Sequence, residues 1–233
     1  MRKLYFLFIL LFVSLALNSA ERFVTFKKND VALPIIDNGK VINILYDSSD
    51  QKGIGIAVNN LIEDFERVCG LKPNMLSGNS GENCIIIGSL DSKYIKQLIK
   101  SKKLDKKALQ KKNEKYIITT VDNPLEGIDK ALVIVGSDRR GTIYGIYELS
   151  EQMGVSPWYW WMDVPVAKQK EVYVMPGIYT DGEPAVKYRG IFLNDEAPCL
   201  TEWVKHHYGT NFGDHRFYAD VFELILRLKG NFL

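Results

Sequence analysis

The chain has 233 residues, with 30 Lys or Arg against 28 Asp or Glu, and 46% hydrophobic and 12% aromatic side chains. That is enough chain for one or two domains with real cores, at a globular composition. The near balance of charge excludes a global field that would recruit nucleic acid or anionic lipid. Residues 1–20 read as a secretory leader: Arg2 and Lys3, then an apolar run from Leu4 to Leu17, then the small residues Asn18-Ser19-Ala20. The run is short beside the roughly 20 residues of a bilayer-spanning helix, so a retained anchor is the lesser reading. The mature protein is therefore expected to be secreted or periplasmic, with no membrane partner. Loss of Arg2 and Lys3 takes the 30 basic residues to 28, level with the 28 acidic ones.

The mature chain alternates strands and helices. Val41 to Asp47 reads as a strand, and Gly53 to Cys69 as a helix with Ile54, Val58, Leu61, Phe65 and Val68 on one stripe and Gly70 as its stop. Cys84 to Gly88 is a short buried strand, and Asp91 to Lys112 a lysine-rich helical stretch. Strands at Tyr116 to Val121 and Ala131 to Val135 precede a helix from Arg139 to Met153, closed by Gly154. A strand at Glu171 to Met175 and a Gly-, Asp- and Pro-rich loop from Pro176 to Pro184 end this part. The pattern predicts an α/β layer domain over 21–184. Beyond it, Tyr188 to Leu193 reads as a short strand running straight into the polar residues Asn194, Asp195 and Glu196. Asp214 to Lys229 reads as a helix with Phe217, Val221, Leu224 and Leu228 on one stripe and Gly230 at its C-cap, and Asn231-Phe232-Leu233 begins another strand. Strand, polar loop, helix and strand over 185–233 predict the first β/α unit of a truncated TIM-type barrel, whose helix stripe would stay exposed.

Several motifs carry little chemistry. Ten lysines lie between Lys93 and Lys115, without Arg or much aromatic interleaving, and read as a solvated face over Tyr94, Leu98 and Leu109. Gly136-Ser137-Asp138-Arg139-Arg140-Gly141-Thr142 lacks the Lys of a phosphate loop and the dinucleotide glycine spacing, and reads first as a tight strand-to-helix turn. His206 and His207 are adjacent and His215 lies apart, so no metal site is expected; no cofactor is expected either. Cys69, Cys84 and Cys199 are too few and odd in number for a disulfide framework, and Cys84 reads as a buried small hydrophobe. Pro157 to Pro165 packs three Trp and one Tyr into nine residues, suited to packing at a domain junction or to the C–H faces of sugars.

Four stretches taken together resemble glycoside hydrolase family 115, the xylan α-1,2-glucuronidases. They are Gly136 to Ser150, Gly154 to Pro165, Tyr188 to Pro198 and Phe222 to Leu233, in that order. The resemblance is strong over about 130–233 and architectural over 30–130. It implies an N-terminal α/β domain, a catalytic β/α barrel and further domains. It also implies inverting removal of glucuronic or 4-O-methylglucuronic acid from a xylan-derived polysaccharide or oligosaccharide, with room for a homodimer in the full-length form. The chain departs from that pattern by ending inside the first barrel repeat. Inverting glycosidases need two carboxyl groups about 6.5–9.5 Å apart. Asp195 and Glu196 are neighbours at a strand end, and barrel sites draw on several strands, so the acid and base are expected beyond residue 233. The resemblance matches Asp195 best to an active-site position. Asp195 is expected to hydrogen-bond the bound uronic acid, supported by Asn194 or Glu196. The alternative for this triplet is a cap on the next turn, with Pro198 at a first helical position.

The connection from Ala197 to Gly213 reads as a long loop whose Trp203 and Tyr208 either line the sugar cleft or cover the barrel rim. None of Arg139, Arg140 and Arg189 is placed well enough to be named as the uronate's partner. Two other functions fit the residues less well: a non-catalytic carbohydrate-binding or docking domain, and another glycosidase of the uronidase or hexosaminidase type.

Overall fold

A computed structural model describes residues 22–78, 81–194, 197–210 and 213–233. The leader at 1–20 thus lies outside the described residues. Among the described ones, no helix is long and apolar enough to cross a membrane.

Two sheets form in the first 180 residues. β1 (Val24–Thr25), β2 (Leu33–Asp37) and β3 (Lys40–Val41) belong to a small antiparallel sheet that also takes β9 (Val172–Val174), in the order β1-β9-β2-β3. The larger sheet is built on β4 (Asn43–Tyr46), followed by α1 (Lys52–Cys69), β5 (Met75–Leu76), β6 (Cys84–Ser89) and α2 (Lys93–Lys100). It continues with β7 (Tyr116–Asp122), β8 (Lys130–Gly136), α3 (Arg139–Gln152) and β10 (Ile178–Tyr179), in the order β10-β7-β8-β6-β4-β5. Strands β5, β4, β6 and β8 are parallel, with Asn43 beside Cys84 and Cys84 beside Ala131; β7 and β10 are antiparallel.

The parallel strands are apolar on both faces because both faces are covered. Ile44, Ile85, Ile87, Leu132 and Ile134 pack under α1 and α3. Leu45, Cys84, Ile86, Val133 and Val135 pack under Tyr94, Ile95 and Leu98 of α2 and under Leu104 and Leu109. This is the expected α/β layer. Cys69, Cys84 and Cys199 are free, and burial pushes the Cys84 thiol up to about 12.

The lysine-rich stretch departs from the expectation of one helix. It breaks at Lys102, which takes φ 59°, and resumes only as a turn of 3₁₀-helix at Lys106–Ala108. The break is a Schellman ending: Lys103 N–H reaches Leu98 O and Lys102 N–H reaches Ile99 O, with Lys rather than Gly in the left-handed position. The turn lets Leu104 and Leu109 reach the core that a straight helix would carry them past. The loop expected at 176–184 is interrupted by β10, where Ile178 pairs with Thr119 and Tyr179 with Ile118.

Two further helices complete the chain, α4 (Cys199–Tyr208) and α5 (His215–Arg227). The expected long loop over 197–213 therefore contains a helix of its own, preceded by a cis Ala197–Pro198 bond, with Pro198 in the cap position rather than the first turn. In place of a full strand at 188–194 there is a single parallel bridge between Gly190 and Phe232. Helix α5 ends on Leu228, and Lys229 (φ 56°), not Gly230, takes the left-handed position, while Gly230 N–H bonds Ile225 O.

Candidate functional site

Residues 188–194 alternate as a strand does, although they have one bridge. Ile191 and Leu193 pack towards α4 and α5, whereas Tyr188, Phe192 and Asn194 face outward, Phe192 at 90% exposure. Gly190 must be glycine, because a Cβ there would lie 1.8 Å from Phe232 O. Asn194, one of the three expected sugar contacts, stands exposed at the end of this segment. Asp195 and Glu196, the other two, lie outside the described residues.

Three ionic knots fix this segment and α5 to the α/β layer. In the first, Glu114 accepts from Arg140 Nε (2.5 Å) and Asn231 Nδ2 (2.9 Å) on Oε1, and from Arg189 Nη2 (2.7 Å) on Oε2. Burial raises the Glu114 carboxyl, but its bonds from Asn231, Arg189 and Arg140 outweigh that and hold it below the usual carboxylate range. Arg189 also donates from Nε and Nη2 to Lys229 O, at 3.0 and 2.9 Å. In the second, Asp64 accepts both ends of the Arg227 guanidinium, at 2.9 and 3.1 Å, with both side chains buried. Glu223 accepts from Arg227 Nε at 2.8 Å and from Tyr159 Oη at 3.1 Å, and the guanidinium lies over the Tyr147 and Tyr159 rings. In the third, Lys229 Nζ donates to Glu148 Oε2 at 2.5 Å and to Asp181.

The helix stripe expected to stay exposed is covered. Phe217 and Val221 pack with Val204 against Trp161 and Trp203, Leu224 is buried, and Leu228 alone of the four remains exposed. Trp161 and Trp203 stack at 5.4 Å, and Trp203 stacks on His207 at 3.9 Å. Of the Pro157–Pro165 aromatics, Tyr159 and Trp161 therefore pack between the layer and the C-terminal helices, while Trp158 and Trp160 are exposed. Trp203 and Tyr208 belong to this cluster, and Tyr208 donates to Asp220 at 2.6 Å.

The other motifs settle as follows. The Gly136–Thr142 turn is a tight one: a Cβ on Gly136 would lie 2.0 Å from Thr142 N, and Asp138 caps α3 by accepting Gly141 N–H. Among the described residues no three His, Cys, Asp or Glu gather as metal ligands. Beside the exposed face of 188–194 is a hollow of about 710 Å³ lined by Tyr188, Ile191, Phe192, Tyr218 and Phe232. No carboxylate lines it among the described residues, so the described part supplies a strand end and aromatic walls but no acid–base pair.

Sequence reasoning missed the knots. Arg189 in a strand and Arg227 on a helix were legible as charges, but their partners Glu114 and Asp64 are 75 and 163 residues away.

Comparison with known proteins bears on this arrangement. Residues 181–233 match the model of glycosyl hydrolase family 115, and residues 37–149 match that of the glycosyl hydrolase family 67 N-terminus. The solved structure of BtGH115A superposes with a TM-score of 0.72 at 29% identity, over 86% of this chain and 25% of that one. The chain is thus similar to glycoside hydrolase family 115 in its C-terminal part by sequence and over most of its length by structure. BtGH115A is described as a family GH115 4-O-methyl-α-glucuronidase with specificity for decorated arabinogalactans, and this chain spans a quarter of its length. CpGH84D (TM-score 0.43, 10% identity, 90% of this chain and 35% of that one) and the chitobiase FjGH20 of Flavobacterium johnsoniae (0.37, 13%, 74% and 21%) are more distant. No curated protein matches the chain.

Proposed function

We propose that this chain is the opening part of a secreted α-glucuronidase-type glycoside hydrolase, with the α/β layer over 21–184 and the first unit of a (β/α)8 barrel over 185–233. The observation that carries the reading is the parallel bridge between Gly190 and Phe232 on either side of α5. Parallel segments joined through a helix form the repeating unit of a barrel, whose site is built at the C-terminal ends of its strands. Asn194 stands at such an end, and the family 115 match over 181–233 covers the whole unit. In this reading Asp195 bonds hydroxyls of the bound uronic acid, with Asn194 and Glu196 in support. The general acid and base come from later strands, at the separation that inversion requires.

The reaction removes glucuronic or 4-O-methylglucuronic acid from a polysaccharide side chain. Xylan is the substrate expected from the sequence, and the specificity of BtGH115A makes decorated arabinogalactan the second to test. In a protein joining this chain to a complete barrel, Asp195→Ala is expected to abolish most uronic acid release from both polysaccharides. Unchanged turnover would refute the assignment. The purified 233-residue chain alone is expected to release none, since one unit cannot close a barrel.

A further inference from the structure

Glu114 has an unusual seat. It precedes β7 with φ 54°, in the left-handed region, and its N–H donates to Asp138 Oδ2 at 2.8 Å, the same Asp138 that caps α3. Its backbone is thus tied to the start of a helix buried between sheet, α1 and α5, and its carboxylate is aimed at the C-terminal segments. From there it grips both segments of the bridge at once. Arg189 belongs to one segment and Asn231 to the other, and Asn231 in turn accepts Arg189 N–H at 3.0 Å and donates to Lys187 O at 2.7 Å. The backbone follows, with Asn231 and Phe232 N–H both reaching Arg189 O.

We propose that Glu114 seats Arg189 so that the α/β layer sets the register and angle of residues 188–194, making Arg189 a positioning residue for whatever the strand end presents. A planar guanidinium is required because it reaches Glu114, Lys229 O and Val186 O together, at 2.7, 2.9–3.0 and 2.6 Å; an ammonium offers no such fork. The consequence for sugar binding rests on the glycosidase reading. The seat itself does not.

The test is amide hydrogen exchange in the 233-residue chain, read at Arg189, Asn231 and Phe232, with Ile85 to Ile87 in the central sheet as control. Arg189→Lys keeps the charge but loses the fork. It is expected to speed exchange at the three amides by about 10- to 100-fold, the equivalent of losing one hydrogen bond to a charged group, with the control unmoved. Glu114→Gln should speed the same amides and also remove a pH dependence.

The groups facing Glu114 are Arg140, Asp138 and Tyr144 from α3, and Arg189 and Asn231 from the C-terminal segments. A carboxyl held below its ordinary value stabilises above the unfolded pKa and loses that contribution as pH falls through the folded one. Exchange at the three amides, corrected for intrinsic rates, should therefore accelerate below the ordinary carboxylate range in the native sequence and stay flat in Glu114→Gln. Unchanged exchange in Arg189→Lys, or equal acceleration in the control strand, would overturn the proposal. A barrel-bearing Asp195→Ala protein that stays fully active, with the seat protected, would sink the glycosidase reading alone.

Discussion

The α/β layer and the C-terminal stretch from Val186 onward are held by different physics. In the layer, both faces of the large sheet are covered by apolar side chains, in one cluster with α1 and α3 and another with α2. The C-terminal stretch has only a small apolar cluster around Phe217, and three ionic knots besides. Each knot has one ion pair that crosses from an acid of the layer to a base of the stretch: Asp64 with Arg227, Glu114 with Arg189, Glu148 with Lys229. Apolar burial is strong but has no direction, so it assembles a sheet without fixing how a second body docks. Hydrogen-bonded ion pairs are directional, and a misdocked α5 would leave charges buried without partners. Here burial builds the layer and charge sets the angle at which the next unit leaves it.

Asp64→Ala attacks that division hardest. It leaves the buried Arg227 guanidinium without its bidentate partner, and breaking one side of such a pair costs about 3–5 kcal/mol. Denaturant unfolding followed by tryptophan fluorescence should show it, since all four Trp (158, 160, 161 and 203) lie in the stretch or at its junction. Asp64→Leu combined with Arg227→Met should recover much of the loss, because the charges are then removed together.

Phe217→Ala comes next, at about 3 kcal/mol for a fully buried ring. Its effect should appear in the fluorescence transition and spare the far-ultraviolet dichroism of the layer. Phe65→Ala in α1 removes a ring from the layer core and should shift both probes. Coincident shifts in the Phe217 variant would mean that the two regions unfold as one.

Most of the layer was legible because its signals are local. Helix α1 shows a five-residue apolar stripe with Gly70 after it, α3 ends at Gly154 in the left-handed position, and the parallel strands are short apolar runs. Where Lys stands in the left-handed position, at Lys102 and Lys229, the ending was invisible, and α2 was read too long and the α5 stop one residue late. The Asn38-Gly39 turn between β2 and β3 is a local hairpin signal of the same kind, both residues having positive φ. Helix α4 lies inside an expected loop although Leu200, Trp203, Val204 and Tyr208 carry helical spacing and pack in the C-terminal cluster, a periodic signal available in the sequence. Of the candidate site, the residue types at 194–196 were legible, whereas the knots that orient the segment depend on pairs far apart in the chain, which no periodicity reports.

Lys229 offers the finest cut between backbone and charge. Its left-handed backbone costs about 1–2 kcal/mol relative to glycine, and its ammonium lies between Glu148 and Asp181. Lys229→Gly relieves the backbone and loses the ion pairs, two effects of similar size at a site still partly exposed, so its net stability should change by no more than about 1 kcal/mol. Lys229→Met loses the pairs and keeps the strain, and should be the less stable of the two by about 1 kcal/mol. The pH dependence separates the parts again. Burial lowers the Lys229 ammonium, but Glu148 and Asp181 raise it further, to a net value above the ordinary lysine range. A raised folded value stabilises fully below the unfolded pKa and is lost as pH rises through the folded one, so the native sequence should weaken in strong alkali while both variants lack that component. If Lys229→Gly and Lys229→Met are equally stable at neutral pH, the left-handed turn at the end of α5 carries no cost, and charge alone accounts for the lysine.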